Sequence, residues 1–118
     1  MATKISTKAQ EGSTFMIMVD FFEVSSENGE RTPITPNPGL KWSLTDNNGT
    51  AINNRSNVVV DSAESVPIIL SGLDLAIPGA YPVERYVTVE GTYNSVFSDN
   101  LPIKEQVSFQ IENLVAIS

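Results

Sequence analysis

Cysteine and histidine are both absent from the chain. Without cysteine there is no disulfide, no thiolate nucleophile and no thiolate-ligated zinc, and the redox compartment stays open. Without histidine the commonest general base is missing, along with the usual activating partner of a nucleophilic serine. Basic residues are also few: seven Lys and Arg stand against fourteen Asp and Glu, for a net charge of -7. They are scattered singly, whereas binding to a phosphate backbone or an anionic membrane needs them clustered. Nucleic acid and membrane surfaces are therefore not expected as partners. No apolar run approaches the ~20 residues of a membrane span. The opening MATKISTKAQEG lacks the apolar stretch of a signal peptide. The expectation is a soluble chain that is cytoplasmic, or exported as part of an assembly.

What remains is ample for one fold. A chain of 118 residues, 41% hydrophobic, matches one domain able to bury its own core. Residues 1–12 are polar and aperiodic, and predict a flexible arm or a loosely paired strand, ahead of a single domain over 13–118. Thr14 to Val24 (TFMIMVDFFEV) is rich in β-branched and aromatic residues and too short for a typical amphipathic helix. Phe15, Ile17, Val19 and Phe21 share one face of such a strand. Met16, Met18, Phe22 and Val24 share the other, interrupted by Asp20. A strand apolar on both faces is either covered twice or meets something outside the domain. Met16, Met18 and Phe22 are accordingly the candidate partner interface, with the N-terminal arm or the 72–82 connection as the alternative cover.

Turn signals recur along the rest. Asn28-Gly29 favours a hairpin turn, and Pro33, Pro36 and Pro38 restrict 25–39 to an edge or a loop. Leu40, Trp42 and Leu44 alternate with Lys41, Ser43 and Thr45, and Asp46-Asn47-Asn48-Gly49 reads as a type I turn with a left-handed glycine. Asn57 to Asp61, Ser65 to Ser71, Val83 to Ser95 and Ile103 to Ile117 supply further strands, with one helical turn expected at Leu73 to Ala76. Val66, Ile68 and Leu70 share a face, as do Val87, Val89 and Tyr93, and Val107, Phe109 and Ile111. Lys104, Gln106, Ser108, Gln110 and Glu112 should point outward. Turns every 8–14 residues without a 3.6-residue pattern predict an all-β fold, a sandwich of seven or eight mostly antiparallel strands. Tyr81 and Phe97, in connections, are candidate recognition aromatics or caps on the core.

Chemistry is sparse. Glu27, Glu30, Asp61, Glu64, Asp74 and Asp99 lie singly in loops and are expected to be solvated. Asp46-Asn47-Asn48-Gly49-Thr50 fails the calcium-loop order, because glycine comes fourth and position 12 is Asn57. No cofactor, metal or catalytic residue is implied, and a calcium site of another kind between loops is left open.

The strand order, with Trp42 on the third main strand, resembles an immunoglobulin-like sandwich. It departs from that family in lacking the inter-sheet cysteines, and Tyr86 falls on the face opposite Val87 and Val89. The short polar N-terminus, the EGSTF opening of the first long strand, LKWSLTDNNG and VTVEGTY together resemble small structural proteins of tailed bacteriophages and prophages. That resemblance implies a virion component of tail or head decoration. It would be made in the bacterial cytoplasm and act non-catalytically through contacts with itself, as a homo-oligomer, or with other virion proteins. The alternative is a carbohydrate- or ligand-binding sandwich module.

Overall fold

The computed structural model describes residues 3–24, 27, 29–77 and 83–112. Among them there is no α-helix, and the chain is all-β. Its strands are β1 (Thr3–Lys4), β2 (Ala9–Gln10), β3 (Thr14–Asp20), β4 (Phe22–Val24), β5 (Arg31–Pro33), β6 (Lys41–Thr45), β7 (Val58–Val59), β8 (Ser65–Ser71), β9 (Val83–Tyr93) and β10 (Leu101–Glu112). The helical turn expected at Leu73 to Ala76 is a 3-10 turn at Gly72–Leu75. Ten strands stand where seven or eight were expected, because two longer ones are interrupted. The N-terminal arm pairs in two short pieces, and β3 is separated from β4 at Phe21. There the N–H donates to the Glu64 carbonyl (3.3 Å) while the carbonyl accepts from Ile34 N–H (3.1 Å).

The large sheet runs β1-β10-β9-β6-β7, with β2 also on β10. β1 and β2 lie parallel to β10, on the edge that β9 leaves free; every other pairing is antiparallel. β3 pairs with β8, and β4 with β5, as two small sheets. The period-2 alternation read from the sequence places one residue in two against this large sheet. Ile17 and Val19 of β3 and Val66, Ile68 and Leu70 of β8 form one buried cluster with Trp42, Leu44, Val87, Val89, Phe109 and Ile111. Trp42 pairs with Val89 and Leu44 with Val87, and the Phe15 and Phe109 rings lie 5.3 Å apart. Packing is tight beside Trp42: a Cβ on Gly91 would come within 2.8 Å of Leu40 Cδ1. The opposite face of the large sheet is polar, and Gln106 donates across it to Thr88 (3.0 Å). Ser108, expected outward, is nearly buried next to the arm, whose Ile5 N–H donates to the Ser108 carbonyl (2.8 Å).

Two loops are held by single acids. Asp46 accepts the N–H groups of Asn48 (2.8 Å) and Thr50 (3.0 Å) on one carboxylate oxygen, and Gly49 sits at φ 82°. These bonds hold the Asp46 carboxyl below its usual value, so the residues of DNNGT are accounted for by turn chemistry. Asp74 corrects the sequence reading. It is completely buried rather than solvated, and accepts from Arg55 Nε (2.8 Å), Asn53 Nδ2 (2.9 Å) and the Ser71 N–H (3.1 Å).

Candidate functional site

The β3–β8 ladder decides what faces outward. Its register pairs Met16 with Ile69 and Met18 with Pro67, while Ile17 pairs with Ile68 on the buried side. Met16 is 57% exposed, Met18 50% and Ile69 58%. Phe22 and Val24 continue the same exposed face along β4. The described part of neither the arm nor the 72–82 connection shields these side chains, and the three candidate interface residues come together on one surface. Ile69 and Pro67 enlarge it and were not singled out in the sequence. Their signal was nonetheless present, as the complement of the Val66-Ile68-Leu70 alternation. Contiguous exposed apolar surface of this kind marks interaction sites, and methionine adapts to varied partners.

The main chain of β3 adds a second property to this surface. Gly72 N–H donates to the Ser13 carbonyl (3.0 Å) and Phe21 N–H to Glu64 (3.3 Å), bracketing the ladder. In an antiparallel pair the bonds then fall on alternate residues. Phe15, Ile17 and Val19 therefore spend their N–H and C=O groups on β8. Thr14, Met16, Met18 and Asp20 direct theirs to the opposite edge, where no described strand lies. The corresponding outer edge of β8 contains Pro67, which has no N–H to offer. A cleft of about 320 Å³ opens along the β3–β4 edge, bounded by Met18, Asp20, Phe22, Val24 and Arg31 and, across it, by Glu105 and Val107 of β10.

Charges around the surface are few. Asp20 accepts from the Ser65 hydroxyl, and the Arg31 guanidinium lies 5.8 Å from the centre of the Phe22 ring. Elsewhere, Phe97 is 86% exposed beside exposed Val96 on the β9–β10 connection, so it does not cap the core. Tyr81 lies outside the described residues. The other described tyrosines are half-buried, and their hydroxyls donate to carboxylates: Tyr86 to Glu84 and Tyr93 to Glu23, both at 2.9 Å. Each bond to an acceptor anion raises the phenol above its usual value. Apart from Phe22, Phe97 is the only strongly exposed described aromatic, and the two do not form a row on one strand.

Arg85 was also missed. It projects inward from β9 opposite Phe109 and is 8% exposed. Its Nη1 donates to the Glu84 carbonyl (3.1 Å), and its Nε has no partner among the described residues. No three acidic residues gather among the described residues as a metal site would require. The chain matches no family model, no curated protein and no solved structure.

Proposed function

We propose that this chain is a non-catalytic interaction protein built as an immunoglobulin-like sandwich, a structural component of a tailed-phage or prophage particle. It docks against neighbouring protein through the outer face of β3, β4 and β8. The observation that carries this reading is the apolar surface of Met16, Met18, Pro67 and Ile69, extended by Phe22 and Val24, on a chain of net charge -7. The sheet order supports the sandwich reading, with the arm parallel to the last strand and the β3–β8 pair closing a shared core with the large sheet. Such a face gains free energy when a partner removes it from water, at about 25 cal/mol per Å² of apolar area.

Light scattering after gel filtration, from micromolar to millimolar chain, tests self-association, and methionine oxidation by peroxide reads burial of the face. Met16 and Met18 should oxidise rapidly in the dilute free chain and slowly once another protein or a second copy covers the face, and Met16→Thr with Ile69→Thr should abolish that covering. A strict monomer whose methionines resist oxidation would remove the physical basis of the reading. Neighbouring genes for portal, capsid or tail-tube proteins would support the virion assignment, and a metabolic operon would overturn it.

A further inference from the structure

We propose that the open edge of β3 is a socket for one extended segment of a partner protein, which adds a strand to the β3–β8 sheet and sets a basic residue against Glu105. The socket lies on the interaction surface described above and rests on that reading. Main-chain chemistry names the class of occupant. Thr14, Met16, Met18 and Asp20 send their N–H and C=O groups to a side where no described strand lies, and a strand is the ligand that matches such a row. Two of these residues, Met16 and Met18, carry exposed apolar side chains, so an added strand lies beside them while bonding their backbone.

Space and charge agree with a single segment. The cleft along this edge reaches Val107 and Glu105 of β10, both half-buried. Inward side chains of an added strand would rest on Val107. Two acids, Asp20 and Glu105, and one cation, Arg31, line the cleft, and Arg31 sits over the Phe22 ring, leaving one acid in excess. A basic side chain in the incoming segment complements that excess. A second copy fits less well: its β3 carries its own large sheet, and pairing two β3 edges brings two β10 strands into one gap.

The test uses the full chain, labelled with nitrogen-15, and three synthetic peptides as long as β3 (7 residues). One alternates valine and threonine around a central lysine; the second replaces that lysine by glutamate; the third is the lysine peptide N-methylated throughout. The amides of Met16 and Met18 should exchange rapidly in the free chain while those of Ile17 and Val19 are protected. The lysine peptide should slow Met16 and Met18 exchange by about tenfold or more, the glutamate peptide far less, and the N-methylated peptide not at all. Met16→Pro, which removes an outward N–H and leaves the β8 ladder intact, should abolish the effect; if it does not fold, the N-methylated peptide still decides.

Protected Met16 and Met18 amides in the dilute free chain, or no protection by any peptide, would overturn the socket. Protection that rises with chain concentration alone would hand the edge to a second copy and overturn it likewise. Equal binding of the N-methylated peptide would also overturn it, yet leave the broader interaction surface standing.

Discussion

Trp42 fills the core rather than offering itself to a ligand. Its ring is buried between Leu40 and Leu44 on its own strand face, with Val89 opposite. Truncation leaves a cavity as well as losing transfer free energy, so Trp42→Ala should cost about 3–5 kcal/mol, measured by reversible denaturation. Asp74 answers to charge rather than volume. Burial pushes its carboxyl up, but the bonds from Arg55, Asn53 and Ser71 outweigh burial and hold it below 3.8. A depressed carboxyl stabilises the fold above its unfolded value and loses that contribution as pH falls through the folded one. The gap in stability between wild type and Asp74→Asn should be full at neutral pH and close in acid below pH 3.8. At neutral pH it should be about 2 kcal/mol, less than for a fully buried pair because the Arg55 side chain is 40% exposed.

Strands carry a simpler logic, and most of it was legible. Period-2 alternation identified the buried faces of β3, β6 and β8 residue by residue, and that of β9 at Val87 and Val89 but not at Arg85, because each strand is covered on one side by a shared core. The outward face of β3 was legible as apolar but not as uncovered, since cover depends on where the arm goes. The arm goes to β10 instead, and Ala9 is buried there. The Asp74 cluster was illegible because Asn53, Arg55 and Asp74 meet only after the 51–57 loop folds back onto the turn at Gly72–Leu75. The open edge was hidden for a related reason: hydrogen-bond phase is a property of the pair, not of either strand. Met16→Thr and Met18→Thr should leave the melting midpoint nearly unchanged, within about 0.5 kcal/mol, as surface substitutions do. A large loss in thermal melts would mean that these side chains are packed within the chain.

At the scale of the molecule, the proposed docking face presents Met16, Met18, Pro67 and Ile69 on a chain of net charge -7. Added salt screens repulsion between copies or acidic partners and leaves apolar contact intact. Contact through the apolar side chains should therefore hold or strengthen with ionic strength, whereas binding of the lysine peptide at the β3 edge should weaken; sedimentation at low and high salt checks the first and peptide titration the second. The first two described strands pair with the last, Thr3 of β1 with Val107 and Ala9 of β2 with Ile111. Folding that depends on such distant pairing is slow for its size, and refolding on the order of milliseconds to seconds is expected in stopped-flow measurements.

Pro67 bears on stoichiometry. A two-stranded sheet with both rims able to bond would take a neighbour on each side, and copies so joined propagate into ribbons. Pro67 leaves the β8 rim one donor short, so the β3 rim is the more receptive of the two. If the proposed strand addition occurs at β3, continuation across β8 is disfavoured, and this sheet takes one neighbour more readily than two.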